Sequence, residues 1–497
     1  MGITTNSNED VKNSVDNELS PDANGPQAPQ VVIPATPVDR FWLKKLIQKH
    51  SNDERLVPYY KTLHAKYPIL KDKALVVAPM VDQSDLPFRI LCRNYNANLC
   101  FTPMVHAKMY HQKISYRRKF WSHTNGTPKE DRPLIVQLCG SDKEHLLYTI
   151  NDIIHSAGGV DGIDLNCGCP QTIAKRGVYG AFLLEKDNGN VIVDVVKFLV
   201  EQVGHLIPIS VKVRILPSGV EDSLKLYGRL VDAGASMLTI HGRTRLQKAM
   251  KTGQSDWDAI RRVVQLYGGP SGIPIVANGG ISNLDDVREC LEYTGVDGIM
   301  SSEGILEYPP LFTETGTEAV QNQRTGPGRV QITRDFLDIC RTYPPDEGGQ
   351  GNGIKCVRGH VHRYLHEDLK ARNDVRKMIA YAQDLETLHK ACDEIQKMHD
   401  DTSTPGSSRH VVAKEELSWY MRHRVVEKNA DGTSMTALEK KLAKNREVNQ
   451  FTEEQLEEMK DGERAGSVAH IFGCSIDDGG GNGDEGYSGN GDGRQCW

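Results

Sequence analysis

The feature that most limits the possible folds of this chain is a regular alternation of short apolar segments with longer amphipathic ones between residues 74 and 301. Eight of the apolar segments have the length and β-branched content of buried strands. They are ALVVAP (74–79), NLCFTP (98–103), PLIVQL (133–138), VDGIDLN (160–166), PISVKVR (208–214), SMLTIH (236–241), IPIVAN (273–278) and DGIMS (297–301). Eight strand–helix repeats favour a closed (β/α)8 TIM barrel over an open doubly wound sheet, which would use fewer strands and normally carry a GxGxxG turn.

The segments on either side of the barrel differ from it in composition. Residues 1–40 are rich in Asn, Asp, Ser and Pro, and residues 426–497 are charged and then rich in Gly and Asp, so we expect both to be disordered tails. We expect a helical lead-in over 41–72, the barrel over 73–320 and a small all-helical domain over 330–425. The predicted fold class is therefore α/β, with a TIM barrel followed by a helical domain.

Composition excludes several other classes of protein. No run of eighteen or more apolar residues occurs, so no membrane-spanning helix is expected. The acidic N terminus resembles neither a secretory signal nor a transit peptide, and the 11 cysteines are an odd number, which together favour reduced thiols and a cytoplasmic or nuclear location. Only Cys167 and Cys169 lie close together, so no structural metal site is expected. The sequence does not fix the oligomeric state, and a monomer is compatible with it.

Polar residues follow the strands at the end where such barrels place their chemistry. The positions are 78–80, 137, 166–170, 212–214, 241–243, 278–280 and 302–304. Among them, Cys169 follows a glycine at a strand end, close to Asn166 and just before Pro170, which fixes the loop. A reactive thiol and a buried structural cysteine both remain open at this position.

Several short motifs occur in one order and at suitable spacing. They are Ala-Pro-Met at 78–80, Phe-Arg at 88–89, Gln-Leu at 137–138, Asp-Leu-Asn-x-Gly-Cys-Pro at 164–170, Lys-Val-Arg at 212–214, His-Gly-Arg-Thr at 241–244, Asp-Trp at 256–257, Ala-Asn-Gly at 277–279 and Ser-Ser-Glu-Gly at 301–304. Together they resemble the dihydrouridine synthase family, flavin-dependent enzymes that reduce uridine in tRNA. Thr-Pro-Met at 102–104 and Ile-Ala-Lys-Arg-Gly-x-Tyr-Gly-Ala-Phe at 173–182 are similar to the subtype that acts on D-loop positions 16 and 17. The resemblance covers residues 73–380.

The resemblance implies that FMN lies across the barrel mouth and that Cys169 is a general acid. The implied cofactor contacts are Pro79, Met80, Val81, Gln137, Asn166, Lys212, His241, Asn278, Gly279, Gly280, Ser302, Glu303 and Gly304. The positive charge of Lys212 would stabilise the reduced flavin. The turns at 278–280 and 302–304 follow the last two strands, where such barrels bind phosphate. Family members usually have Arg-Gly where this chain has Glu303-Gly304, so we expect the Glu303 side chain to turn away from the phosphate.

The resemblance also implies an RNA partner. The formal net charge is −6, but many acidic residues lie in the tails, and basic residues cluster at 108–119 and 355–377. The implied RNA contacts are Arg214, Arg243, Lys355, Arg358, His362 and Lys370. Read as one helix, 355–377 would bring the last three of these near one face. Each basic stretch taken alone is typical of a solvated helix face.

The implied reaction has two halves. NADPH, or NADH, reduces the flavin, and hydride then passes to C6 of a uracil while Cys169 protonates C5. Two alternatives remain open: a flavin barrel that reduces a free, pyrimidine-like small molecule, and an RNA-binding protein with a vestigial flavin site. The helical domain and the inner basic stretches disfavour the first alternative, and the presence of both Cys169 and Lys212 disfavours the second.

Overall fold

The computed structural model describes residues 39, 41–53, 57–121, 128–156, 159–248, 252–313, 327–344 and 353–400. The two predicted tails lie outside these ranges apart from residue 39, and so do residues 401–425 of the predicted helical domain. No helix among the described residues is both long and apolar enough to cross a membrane.

Parallel strands close into a barrel around an apolar interior. They are β1 (Ala74–Val77), β2 (Leu99–Phe101), β3 (Val105–His106), β4 (Leu134–Cys139), β5 (Gly162–Cys167), β6 (Ile209–Ile215), β7 (Leu238–Thr244), β8 (Ile275–Asn278) and β9 (Gly298–Ser301). β1 pairs with β9 and with β2, and β2 pairs with β4, which closes the ring. β2 and β3 are two halves of one barrel strand, because both pair with β4. All eight predicted strand segments form strands, and the predicted TIM barrel is confirmed.

The break between β2 and β3 shapes one side of the barrel mouth. Pro103 has no amide proton and cannot donate to the sheet ladder. Just before it, the Thr102 amide still donates to the Ile135 carbonyl at 3.0 Å, and the Thr102 hydroxyl accepts from the Gln137 amide at 3.3 Å. The chain then leaves the ladder for two residues, and Met104 comes to line the cleft above the barrel.

Helices surround the barrel and form most of the C-terminal part. They are α1 (Trp42–Ser51), α2 (Val57–Lys66), α3 (Leu86–Asn94), α4 (Ala107–Gln112), α5 (Ile114–Phe120), α6 (Lys143–Ser156), α7 (Thr172–Arg176), α8 (Asn190–Val203), α9 (Val220–Asp232), α10 (Trp257–Tyr267), α11 (Leu284–Thr294), α12 (Glu303–Glu307), α13 (Pro327–Thr342), α14 (Ile354–Tyr364), α15 (Asp368–Ala371), α16 (Asn373–Tyr381) and α17 (Leu385–Asp400). Short 3-10 turns occur at Pro68–Leu70, Lys129–Asp131, Gly180–Leu183, Lys186–Gly189 and Pro309–Phe312.

Local sequence explains where the barrel helices begin, end and face. α8 buries one stripe of residues at helical spacing: Ile192, Val195, Val196, Leu199 and Val203. Burying each of these side chains stabilises the fold by roughly 1.5–3 kcal/mol. α11 begins where the Asn283 side chain accepts from the Asp286 amide at 2.8 Å. It ends at Gly295, whose φ of 73° only glycine adopts readily.

Helix α1 covers the N-terminal end of the barrel. The Trp42 indole donates to the Ser236 carbonyl at 3.0 Å, just before β7 begins. Its ring also packs over the start of β5, because a Cβ on Gly162 would lie 3.7 Å from the indole. With this end covered, a ligand can approach the barrel at the opposite end, where the strands finish.

Helices α13 to α17 pack together and against α3. Phe88 of α3 stacks on His360 of α14 at 4.9 Å between ring centroids, and Phe336 of α13 contacts the same imidazole at 4.9 Å. The predicted basic helix over 355–377 is divided into α14, α15 and α16. The chain leaves helical geometry at Leu365, whose fully buried side chain packs into the core.

Candidate active site

A cleft lies over the C-terminal ends of the barrel strands and holds about 1330 Å³ of empty space, part of it open to solvent. Thirteen of the residues predicted from the sequence line it: Pro79, Met80, Val81, Gln137, Asn166, Cys169, Lys212, Arg214, His241, Arg243, Asn278, Ser302 and Glu303. They come from seven of the strands and the loops after them, because parallel strands finish at the same rim. The polar positions read from separate strand ends therefore share one cleft.

A buried carboxylate organises the floor of the cleft. Asp164 lies within β5, and its two oxygens accept from Gln137 Nε2 at 2.8 Å and from the Ser210 hydroxyl at 2.7 Å. Burial raises the pKa of Asp164 from 3.8 to about 6, against these hydrogen bonds and the charge of Lys212. The Gln137 carbonyl oxygen in turn accepts from Asn166 Nδ2 at 2.8 Å. Because both of its amide ends are engaged, Gln137 is held in one orientation. Asp164 was not predicted as a site residue, although a carboxylate inside an apolar strand was a visible signal.

Asn166 holds the loop that carries Cys169. Its side-chain oxygen accepts from the main-chain amides of Gly168 and Cys169, both at 3.0 Å. Gly180 packs against the other side of this loop, where an added Cβ would lie 2.6 Å from the Cys169 carbonyl oxygen. Burial raises the pKa of Cys169 above 9.0, so its thiol is protonated at neutral pH. Cys167 lies two residues earlier within β5 and is fully buried.

Lys212 brings a half-buried amine to the centre of the cleft. Its Nζ donates to the Asn278 side-chain oxygen at 2.9 Å, and Asn278 Nδ2 donates to the Met300 carbonyl at 2.9 Å. Burial, and then the charge of Arg214, lower the pKa of Lys212 from 10.5 to about 7. An anion bound beside Lys212 would reverse this shift by stabilising the charged form.

Two arginines add to this positive charge. Among the described residues, no carboxylate lies within ion-pair distance of Lys212, Arg214 or Arg243. Arg214 donates through Nε to the Gly168 carbonyl at 2.7 Å. Burial, and then the charge of Arg243, lower the pKa of Arg214 from its ordinary value to about 10, which leaves it charged at neutral pH. Cations that are shielded from solvent and have no directly paired carboxylate are costly, so the donor set fits an anionic ligand.

His241 is a neutral hydrogen-bonding group. Burial, and then the charges of Arg214 and Lys212, hold its pKa well below 6.5. Its Nε2 lies 3.1 Å from Nη1 of Arg243, which can only donate, so Nδ1 carries the ring proton. Gly279, at φ 103°, passes so close that a Cβ would lie 2.9 Å from His241 Cδ2. Gly279, Gly280 and Gly304 are not lining residues, and they let the two turns pack behind the cleft wall.

We expected the Glu303 side chain to turn away from the phosphate, and in the structure it lines the cleft. It is the first residue of α12 and lines the cleft, where its charge acts on Arg214 and on Arg363 of α14. The physical reason is attraction to these two cations and to the N-terminal end of α12. Arg363 itself was missed, because it lies on a different face of α14 from Arg358 and His362. Gln247 and Lys248, from the loop after β7, also line the cleft and were missed.

The residues predicted to contact RNA lie in two places. Arg214 and Arg243 lie in the cleft, whereas Lys355, Arg358, His362 and Lys370 lie on the helical part. The prediction that Arg358, His362 and Lys370 share one face of a single helix is wrong. The helix α14 ends at Tyr364, and Lys370 belongs to α15. Arg358 donates to the Ala380 carbonyl at 2.6 Å and so joins α14 to the end of α16. Lys355 and His362 are exposed, and Lys370 is exposed beside Glu367.

A closed parallel barrel that gathers a protonated thiol, buried cations and fixed amide groups at one rim defines a barrel enzyme with an anionic cofactor or substrate. The chain belongs to the dihydrouridine synthase family, because the family model described as Dihydrouridine synthase (Dus) matches residues 76–402. It is 33% identical to the tRNA-dihydrouridine(16/17) synthase of Schizosaccharomyces pombe, over 72% of this chain and 90% of that protein. It is 36% identical to the similarly named protein of Mus musculus, over 63% of this chain and 59% of that one.

Likeness to solved structures is weaker. Histamine dehydrogenase from a Rhizobium species matches with a TM-score of 0.38 and 10% identity, over 53% of this chain and 48% of that one.

Proposed function

We propose that this protein reduces the C5–C6 bond of uridine in tRNA to 5,6-dihydrouridine, with FMN as cofactor and NADPH or NADH as reductant. The observation that carries the proposal is the placement of the Cys169 thiol and the Lys212 amine in one cleft over the barrel strands. The family membership and the names of the relatives support the activity and the use of NAD(P). The names of the relatives also support D-loop positions 16 and 17 as the sites modified.

FMN fits the donor set of the cleft. Lys212 and the neutral His241 suit the pyrimidine edge of its ring, which gains negative charge on reduction. Gln137 is already oriented by Asp164 and can offer a fixed amide to the same ring. The turns at 278–280 and 302–304 follow β8 and β9, and their cleft-lining residues Asn278, Ser302 and Glu303 are placed to offer main-chain amides to the phosphate. The carboxylate of Glu303 opposes an anion there, and the nearby charge of Arg214 offsets it.

Cys169 has the protonation state and support that a general acid needs. When bound, FMN supplies hydride to C6 of the uracil. The thiol remains protonated at neutral pH because burial raises its pKa, so it can give its proton to C5. Asn166 fixes the main chain on either side of Gly168, and Gly180 backs the loop. The charges of Arg214 and Lys212 lower the pKa of Cys169 again, which favours the thiolate left after proton transfer.

The tRNA must present an unstacked base to this cleft. Extrusion of a base costs a few kcal/mol, roughly, and costs least for a loop nucleotide, which suits a D-loop substrate. Lys248 at the rim and Lys355 and His362 on α14 are exposed positive or polar groups that can contact the phosphate backbone.

The test uses the full chain, FMN, NADPH and an unmodified tRNA transcript. We expect yellow protein and NADPH-dependent dihydrouridine at positions 16 and 17, mapped by mass spectrometry, with loss of each product when that uridine is replaced by cytidine. Reduction of free uracil or orotate without any reaction on tRNA would favour the small-molecule alternative. A colourless protein that binds tRNA but cannot be reconstituted with FMN would contradict the proposal.

A further inference from the structure

A group of three buried metal-ligating side chains lies outside the cleft, between the barrel and α14. It comprises Asp85, Cys356 and His360, whose ligand atoms all lie within 4.8 Å of one another. Cys356 and His360 are four residues apart on α14, so they project from the same face of that helix. Asp85 approaches from the barrel, at the end of the loop after β1.

Two atoms of this group lack the partners that buried polar atoms normally have. Asp85 and His360 are 1% and 0% exposed, and within the described part of the chain neither Asp85 Oδ1 nor His360 Nε2 has a hydrogen-bond partner. They face each other at 4.0 Å, too far apart for a hydrogen bond. Buried polar atoms without partners are costly, and two that face each other at this distance indicate an ion or water between them.

Asp85 also lacks the local hydrogen bond that its position at the start of α3 favours. It is the N-cap residue of α3, a position where an Asp side chain usually accepts from an amide of the first turn. Here the carboxylate makes no such bond and is directed at α14 instead. The Cys356 thiol donates to the Asp82 carbonyl oxygen at 2.7 Å, and one Asp85 carboxylate oxygen lies 3.6 Å from the same sulfur.

We propose that Asp85, Cys356 and His360 bind a structural zinc ion, with the Asp82 carbonyl oxygen as fourth ligand. Tetrahedral zinc with ligands at about 2.0–2.3 Å places neighbouring ligand atoms roughly 3.3–3.7 Å apart. The 3.6 Å from Asp85 to Cys356 fits this spacing, the 4.0 Å from Asp85 to His360 needs a small contraction, and the Asp82 oxygen must move outward from the sulfur. The proposal differs from the prediction, made from the sequence, that there is no structural metal site. That prediction rested only on ligands that lie close together in the sequence.

The charges and the imidazole tautomer favour the same ion. One carboxylate and one thiolate neutralise Zn²⁺, so the loaded site carries no net charge into the core. Binding releases the Cys356 thiol proton to solvent, with no change in oxidation state. The other imidazole nitrogen, Nδ1, lies 3.2 Å from the Tyr364 hydroxyl, the kind of partner that metal-bound histidines have. With the proton on Nδ1, the lone pair of Nε2 points at the proposed ion.

Other charged and polar groups surround the site without filling it. The Gln83 main chain also lies within hydrogen-bonding reach of the imidazole, and the charge of Arg363 acts on the same ring from α14. Arg89 is the nearest cation to Asp85, but its guanidinium pairs with Asp131 at 2.7 Å. Cys340 of α13 lies close enough to interact with Cys356 and is fully buried, yet it is not part of the ligand group.

A zinc ion here would join two walls of the cleft. The loop that ends at Asp85 begins with Pro79, Met80 and Val81, which line the cleft. Three residues after His360, Arg363 of α14 lines it as well. Loss of the ion is therefore expected to loosen α14 on the barrel and to lower the melting temperature of the full chain.

Metal analysis of the full chain, purified without a polyhistidine tag and without added metal, tests the site. We expect about one zinc per chain in the wild type and in Cys340→Ser, the matched buried control, but at least a several-fold loss in Cys356→Ser and Asp85→Asn. Zinc-free wild-type protein, or equal zinc content in all four proteins, would overturn the proposal. So would an equal loss in Cys340→Ser, which would indicate general misfolding or another site.

Cobalt substitution tests the wild type without relying on stable variants. After chelation, added Co²⁺ should produce a thiolate-to-cobalt charge-transfer band together with tetrahedral ligand-field bands, and zinc should abolish both. Chelation should also lower the melting temperature, and zinc should restore it. Absence of the charge-transfer band at saturating Co²⁺ would exclude Cys356 as a ligand and so overturn the site. This outcome is independent of flavin content and of activity on tRNA.

Discussion

Lys212, Asp164 and His241 are ionisable side chains that lie inside the barrel mouth, where burial disfavours their charged forms. The pKa of Lys212 falls to about 7, that of Asp164 rises to about 6, and that of His241 falls well below 6.5. Ionisable groups of this kind do not stabilise a protein core, and their concentration at one rim indicates a catalytic or binding site. The residues with reactive or charged ends were predictable from the strand ends. Asp164 was visible as a carboxylate inside an apolar strand, but its role in orienting Gln137 was not, because that role depends on a contact between β4 and β5.

Cys169→Ala should slow only the step that uses the thiol. FMN content, flavin reduction by NADPH and tRNA affinity should stay near wild type, while reoxidation of the reduced enzyme by tRNA should slow by ~10²–10⁴-fold. Anaerobic single-turnover reoxidation measures this step. Cys167→Ala is the matched control: its sulfur is fully buried, so it should lose about 1 kcal/mol of stability but keep the rate. Normal reoxidation in Cys169→Ala would rule out the thiol as proton donor.

Lys212→Met should stabilise the flavin-free protein while weakening flavin binding. The folded state depresses the pKa of Lys212 from 10.5 to about 7, so the unfolded chain binds more protons between these values and the wild type loses stability as the pH falls through that window. The gain from methionine, roughly 1–3 kcal/mol, should be largest below pH 7 and vanish near pH 10.5.

Urea denaturation of the apo proteins across this pH range measures the effect of Lys212→Met. Lys248→Met is the control, because Lys248 lies at the same rim but is exposed. If Lys212→Met is less stable than wild type at pH 7, the Lys212 amine does not destabilise the apo protein as its surroundings imply.

At the scale of elements, the loop between β5 and α7 depends on a contact with a later turn. Gly180 has φ +71°, and a Cβ there would lie 2.6 Å from the Cys169 carbonyl oxygen and 3.0 Å from Cys169 Cβ. Glycine is therefore needed at this position both for its backbone conformation and for space. The sequence motif at 173–182 was noticed, but a motif does not reveal which atom the glycine must approach.

Gly180→Ala should displace Cys169 and slow reoxidation by tRNA by roughly 10–100-fold, with FMN still bound. Gly269→Ala is a closely matched control. Gly269 has φ +74°, but no atom lies within 4 Å of its added Cβ, so it adds the same backbone strain without the clash. Both variants should lose about 1 kcal/mol of stability by thermal denaturation. Equal rates in the two variants would show that the loop position does not depend on this contact.

At the scale of the whole molecule, periodicity in the sequence was enough to predict the barrel, because each strand is buried on both faces and each helix on one. The split of the second strand at Pro103 and the division of the basic segment into three helices were missed, since tertiary packing decides both. The group of Asp85, Cys356 and His360 was missed for a related reason. Asp85 and Cys356 are 271 positions apart, and no local pattern reveals such a contact.

The predicted tRNA contacts on the helical part can be tested one residue at a time. Lys355 is exposed on α14, the helix that also sends Arg363 into the cleft, so a phosphate near the cleft lies within its reach. Lys355→Glu should weaken tRNA binding and reduce the slope of log affinity against log salt by ~0.9 for each phosphate that the protein no longer neutralises. Unlike Arg358, Lys355 makes no hydrogen bond between helices within the described part of the chain, so its reversal tests RNA binding and not packing.

Fluorescence anisotropy with labelled tRNA across a salt series measures that slope, and NADPH oxidation by the bound flavin checks that the cleft is intact. Lys49→Glu is the matched control, because Lys49 is equally an exposed helical lysine but lies on α1, which covers the opposite end of the barrel. It makes the same change in net charge. If the two variants lower affinity and slope equally, only overall charge matters to tRNA binding. If only Lys355→Glu does so, the RNA crosses α14 on its way to Cys169.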